Sequence, residues 1–205
     1  MPDKKLRLGV LISGSGTNLQ AIIDACAEQF LDAEVVVVVS DKEAAYGLER
    51  ARKAHIAAVW VDRTAYTTFR DYNHAILFAL RTHEVDLVVM AGYMRLLTRE
   101  VLDAFPMRVV NIHPALLPSF PGASGIHDAF DHGVKITGVT VHFATDKFDE
   151  GPIIAQEAVP VLEGDTAESL EARIHEAEHR LYPAALQLIA EGRVSIEGRK
   201  ARIIG

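Results

Sequence analysis

The chain holds a single cysteine, Cys26, so no disulfide framework exists. Cys26 continues the apolar pattern Leu19, Ile22, Ile23 and reads as helix core rather than nucleophile or ligand. A basic surplus is also missing. The net charge is −7 and the sequence pI is about 5.7, which argues against nucleic-acid or anionic-membrane partners, because both need a cationic face. Any anionic ligand must then be held by local geometry. No apolar run is long enough to cross a bilayer. Lys4, Lys5 and Arg7 precede a short run, Leu8 to Ile12, that stops at Ser13-Gly14, too short for a signal peptide. These absences predict a soluble protein in the reducing cytoplasm. There is no repeat, low-complexity tract or linker, so the 205 residues are expected to form one domain over 1–205.

Alternation of strand and helix patterns dominates the first half. Leu6 to Ile12 reads as a buried strand, Gly14-Ser15-Gly16 as a turn and Thr17 to Phe30 as an amphipathic helix. Further strands are expected at Ala33 to Val39, Ala57 to Val61, Val85 to Met90 and Arg108 to Ile112, with helices at Ala44 to Ala54 and about Tyr66 to Arg81. This predicts an α/β fold: a mostly parallel, Rossmann-like sheet with helices on both faces. After Pro121-Gly122 a short helix near His127 to His132 precedes strands Thr137 to Ala144 and Pro152 to Val161, an antiparallel C-terminal portion. A last helix, about Thr166 to Glu191, is expected to open on Asp165 as N-cap, with Glu168 three residues on. The chain thus divides into an N-terminal half, about 1–105, and a second half, about 106–190.

Ligands of open α/β sheets bind beyond the carboxyl ends of the strands. Gly14 to Asn18, Gly92 to Leu97 and Asn111 to Pro114 all fall there. Ser13-Gly14-Ser15-Gly16-Thr17-Asn18 places small residues and free N–H groups at a helix N-terminus, which suits a phosphate. A plain tight turn and a dinucleotide loop are the other readings. No Gly-Lys-Ser/Thr follows, and Leu19 stands where a dinucleotide fingerprint has its third glycine, although Asp41 follows the second strand as a ribose carboxylate would. In Asn111-Ile112-His113-Pro114, strand alternation puts Asn111 and His113 on one side, where an amide donor beside an imidazole meets the needs of acyl transfer. Two polar residues capping a strand end are the plainer reading. The loop Thr145 to Gly151 is acidic and solvated in the plain reading, or brings a carboxylate to His113. Spacing does not choose among Asp146, Asp149 and Glu150.

Nine histidines raise the question of metal. His175-Glu176-Ala177-Glu178-His179 spells a zincin motif, but no third ligand is signalled, and no metal is expected.

In order, Ser13 to Gln20, Ala91 to Leu97, Asn111 to Pro118, Val141-His142-Phe143 and Asp149 to Ile154 together resemble the phosphoribosylglycinamide formyltransferase family, over nearly the whole chain. The resemblance implies transfer of a formyl group from 10-formyltetrahydrofolate, a cosubstrate, to the amine of 5'-phosphoribosylglycinamide in purine synthesis. It implies Asn111, His113 and Asp149 as the catalytic trio, with His113 kept protonated by Asp149, both Asn111 and His113 on the oxyanion, and a water near Asp149 moving the amine's proton. It places the substrate phosphate on Gly16, Thr17 and Asn18 and the ribose on Glu178. It puts the folate against Met94, Arg95, Leu96, Leu97, Ala144, Thr145, Asp146 and Asn111. Phe69 stands where many relatives have an arginine, with Arg70 adjoining, and Ser124 where some have histidine. These departures touch folate-tail and substrate contacts rather than chemistry. The partners implied are small molecules and a homodimer.

A formyltetrahydrofolate deformylase shares the trio but hydrolyses the donor, and the phosphate loop favours transfer over it. A tRNA-directed formyltransferase shares the trio as well, yet needs a basic extension. A non-catalytic nucleotide-binding module would have no reason to combine the loop with Asn111, His113 and Asp149.

Overall fold

The computed structural model describes residues 5–205; of the basic N-terminal stretch, Met1 to Lys4 lie outside the described residues. Among these residues, strand β1 (Leu6–Ile12) enters the interior of a nine-stranded sheet, two strands from one edge, and the chain winds outward from it through α1 (Thr17–Ala27), β2 (Ala33–Ser40), α2 (Tyr46–Lys53) and β3 (Ala57–Trp60). It then crosses back by a 3-10 turn, Arg63–Ala65, and α3 (Phe69–Thr82) to β4 (Leu87–Met90) on the other side of β1, followed by α4 (Arg99–Ala104) and β5 (Val109–His113). After α5 (Gly125–His132), strands β6 (Ile136–Phe143) and β7 (Ile153–Pro160) add antiparallel. Helix α6 (Ala167–Ala190) returns across the sheet, and a hairpin of β8 (Val194–Glu197) and β9 (Lys200–Ile203) closes the far edge. The strand order is β3-β2-β1-β4-β5-β6-β7-β9-β8, with β1 to β5 all parallel.

Alternation along the central strands separates two cores. Leu8, Val10 and Ile12 of β1 pack with Leu87, Val89, Val110 and Ile112 against α1, α2, α5 and α6, whereas Leu11, Val88 and Val109 pack with Tyr72, Ile76, Leu80 and Val101 of α3 and α4. Cys26, half-buried on α1, packs against the first core, and burial pushes its thiol up to about 11. Tyr182 ties α6 to the sheet: its buried hydroxyl lies 3.0 Å from the carbonyls of both Met90 and Val110, at neighbouring strands beneath the cleft.

Several boundaries differ from the sequence reading. Thr166, not Asp165, caps α6; its hydroxyl accepts from Ser169 N and the Ser169 hydroxyl accepts from Thr166 N, so Ser169 does the work expected of Glu168. Asp165 instead receives Leu162 N and a two-pronged Arg173, which holds its carboxyl well below the usual range. Helix α1 ends at Ala27 because Gln29 turns left-handed (φ 60), and α3 begins at Phe69 under a Thr68 cap rather than at Tyr66. The expected short helix opens at Gly125 rather than His127. Helix α4 and the β8–β9 hairpin had no counterpart in the reading: α4 has only six residues, and each hairpin strand four, too short for periodicity to register.

Candidate active site

Strand β5 carries Asn111 and His113 on the face opposite Val110 and Ile112, and antiparallel β6 sets His142 directly across from Asn111 and Thr140 across from His113. One face of a two-strand ladder therefore presents an amide and two imidazoles. All of His113 but 3% is buried. Its Nε2 lies 2.7 Å from the Phe120 carbonyl, an acceptor only, so Nε2 carries a hydrogen and Nδ1 is the nitrogen turned to Asp149, 3.6 Å from Oδ2. Gly125 backs the ring: a Cβ there would stand 3.1 Å from Nε2.

The same reasoning fixes His142. Its Nδ1 donates to the Phe143 carbonyl at 3.0 Å, which leaves Nε2 between the Asn111 amide at 3.2 Å and Asp149 Oδ1 at 3.6 Å. When neutral, Nε2 accepts from Asn111; when protonated, it faces Asp149 as a donor. Asp149 thus sits between two histidines, one on each oxygen, with a third donor in Gly122 N at 2.8 Å from Oδ2. Burial alone would raise its carboxyl; the contact with His142, the Gly122 N–H and the charges of both histidines outweigh that and hold it below its ordinary value. The loop delivers Asp149 in a left-handed conformation (φ 52), which an aspartate tolerates better than most residues. Gly151, two residues on, lies so close to the Phe143 carbonyl that any Cβ would overlap it. Of the three acidic candidates, Asp146 points away to an ion pair with Arg99 (2.9 Å) and Glu150 to Lys147 (3.4 Å).

Across the parallel strands, Gly16 caps α1 in the left-handed region (φ 70), and Thr17 and Asn18 open the helix, so their N–H groups lie at its N-terminus. Gly16 is also close to α2: a Cβ there would lie 2.7 Å from Gly47 Cα, so the glycine allows α2 to approach. Arg50 of α2 donates to the Ser15 carbonyl at 2.9 Å and bridges to Gln20. Asn18 Nδ2 reaches Glu178 Oε2 on α6 at 3.0 Å; Glu178 is only 4% exposed.

The stretch after β4 is anchored by Met94 N donating to Ser13 Oγ at 2.9 Å. Met94 and Leu96 are exposed, while Leu97 lies in the core with Tyr93 and Phe105. Arg95 is held through Nε by Asp41, 2.6 Å away, and this ion pair occupies the carboxylate that a dinucleotide ribose would use. Ala144 and Thr145 are half-buried at the start of the loop that carries Asp149. Phe69 stacks under Arg63, 5.1 Å from guanidinium to ring centroid, and Arg70 pairs with Glu100.

The residue that sequence reasoning left without a role is His142. Its signal was present: Thr140 and His142 alternate with Val139, Val141 and Phe143 along β6, but only the pairing register shows that His142 meets Asn111. Phe120 and Gly122, which act through backbone, give no side-chain signal at all. Among the described residues no group of three or more His, Cys, Asp or Glu is placed to hold a metal ion, and no helix is long and apolar enough to cross a membrane.

Residues 6–186 match the formyl transferase family, and the chain belongs to that family. The chain is 41% identical to the phosphoribosylglycinamide formyltransferase of Bacillus subtilis, over 88% of this chain and 93% of that one. A crystal structure of glycinamide ribonucleotide transformylase 1 from Symbiobacterium toebii superposes with a TM-score of 0.97 at 55% identity, covering 98% of this chain and 95% of the other. A formyltetrahydrofolate deformylase from Pseudomonas syringae shares the architecture, TM-score 0.90, at 27% identity, with 99% of this chain matched to 67% of that one. The chain spans only 19% of the length of the vertebrate trifunctional purine biosynthetic proteins that it also matches.

Proposed function

We propose that the chain transfers the formyl group of 10-formyltetrahydrofolate to the amine of 5'-phosphoribosylglycinamide, giving formylglycinamide ribonucleotide and tetrahydrofolate in purine synthesis. The observation that carries this reading is the Asp149 carboxylate set between His113 and His142 beside the Asn111 amide. Beyond it, the glycine-turned N-terminus of α1 supplies an anion site on an otherwise acidic chain.

In the reaction, the substrate amine attacks the formyl carbon, and its nitrogen forms the new C–N bond while the carbonyl oxygen takes the electron pair. Asn111 Nδ2, through the hydrogen it does not spend on His142, and His113 Nδ1, which carries a proton in this reading because Nε2 is spent on Phe120, donate to that oxyanion, in a buried setting where such donors are worth most. Asp149 supports the charge on His113 and orders a water that relays the amine's proton to N10 of the leaving folate. The tetrahedral intermediate collapses as the C–N10 bond breaks. Met94, Arg95 and Leu96, with Leu97 behind them in the core, and Ala144 to Asp146 line the pterin slot, Gly16, Thr17 and Asn18 receive the phosphate, and Glu178 receives the ribose. The enzyme works on small molecules in the cytoplasm, with a second copy of itself as its macromolecular partner.

Asn111→Leu, close in size but without the amide, tests this assignment. It is expected to lower kcat by about 10²-fold or more while folate affinity stays within about twofold of the parent. Lost folate affinity with kcat preserved at saturation would make Asn111 a binding group instead.

A further inference from the structure

The run His175-Glu176-Ala177-Glu178-His179 spells a metal motif, yet its geometry serves a carboxylate. Two donors converge on one oxygen of the buried Glu178: Asn18 Nδ2 at 3.0 Å and His175 Nδ1 at 2.8 Å both meet Oε2. The other oxygen, Oε1, accepts from no donor among the described residues and is not sealed in. His175 itself is 39% exposed along its side chain, with Nε2 3.5 Å from Glu171 Oε1 and its ring parallel to that of His179 at 6.3 Å. An isolated carboxylate this deep would be costly; here both donors are spent on one oxygen, and the second is left as a fixed acceptor.

We infer that His175 is a positioning residue for sugar recognition: with Asn18 it saturates Glu178 Oε2 and turns Oε1 toward the cleft as the acceptor for a vicinal diol. The inference rests on the proposed contact between Glu178 and the substrate ribose. Asn18 couples the two ends of the ligand, since its backbone N–H lies at the α1 N-terminus and its side chain holds Glu178. The arrangement is sensitive to pH. The bond to Glu178 keeps His175 protonated above the usual histidine range against the effect of burial, with Glu178 and Glu171 adding attraction. From the neighbouring elements, Arg50 of α2 acts on His179 rather than on His175, and His179 is pushed down, chiefly by burial, so it adds little positive charge in opposition. The charge-assisted clamp is therefore complete in mild acid and weakens as pH rises through the folded His175 value.

Calorimetric binding of 5'-phosphoribosylglycinamide and of its 2'-deoxyribose counterpart, without folate, reads the clamp directly. The parent is expected to favour the ribose ligand by about tenfold, as a hydrogen bond to a charged group allows, with the ratio declining from pH 6 toward pH 8.5. His175→Leu is expected to bring the ratio below about threefold by weakening the ribose ligand alone, with folate affinity unchanged. His175→Gln, whose amide still reaches Glu178, should keep the ratio but lose its pH dependence. An unchanged ratio in His175→Leu overturns the inference. Should that variant melt early, His175→Gln decides: a kept ratio supports the clamp and a lost one overturns it. A parent that binds both ligands equally refutes the ribose reading of Glu178, whereas a parent that discriminates together with a His175→Leu that does so equally refutes only the role of His175.

Discussion

At the scale of single residues, the proposed chemistry depends on one carboxylate that two imidazoles share. Because Asp149 reaches both His113 and His142, removing it changes the surroundings of His113 as well, and the two cannot contribute independently. His113→Ala and Asp149→Ala are each expected to lower kcat by about 10²- to 10³-fold, and the double variant by far less than the product. Kinetics on all four proteins measure this, and a multiplicative loss would mean two separate roles. Asp149 also links the site to pH. Its folded carboxyl lies below its unfolded value, so its contribution to stability is present above the ordinary carboxylate pKa of about 4 and is lost as pH falls through the folded value. The Tm gap between parent and Asp149→Asn should therefore shrink on acidification below about pH 4; a gap that widens there contradicts the pairing. Asn111 and His113 were legible because strand alternation sets them on one side. The choice of Asp149 over Asp146 and Glu150 came from family resemblance, and its physical reason, a left-handed turn beside a glycine pressed on Phe143, lies in backbone geometry that composition does not encode.

At the scale of elements, the α1 N-terminus is the proposed anion site, and it can be tested without touching Gly16, whose replacement would press on α2. Ser15 is exposed one residue before that glycine. Ser15→Asp places a negative charge where the helix dipole welcomes one, so the free protein should melt at the same temperature or slightly higher. The same charge repels the substrate phosphate, so KM for the phosphoribosyl amine should rise by about tenfold or more, with KM for folate nearly constant. Equal rises in both constants would remove the phosphate from this loop. Elements with strong period were read correctly to within a few residues, β1, β2 and α6 among them. Boundaries slipped where a local hydrogen bond decided, as when the Thr166 and Ser169 exchange displaced Asp165, itself held by Arg173.

At the scale of the whole molecule, the parallel half brings the anion loop and the Met94 stretch to the carboxyl edge of β1 and β4, and the antiparallel half supplies β6 and the Asp149 loop. The parallel half was legible from alternating strand and helix patterns. The joining of the halves was not, because the register of β5 against β6, which sets His142 beside Asn111, is a long-range pairing. The architecture serves transfer and hydrolysis alike, as the deformylase neighbour illustrates, and what separates them is whether an amine or water meets the formyl carbon. Incubating the protein with 10-formyltetrahydrofolate, with and without 5'-phosphoribosylglycinamide, measures this directly. The account predicts tetrahydrofolate formed in step with formylated amine and almost none without it; release of tetrahydrofolate at the same rate whether or not the amine is present would contradict it.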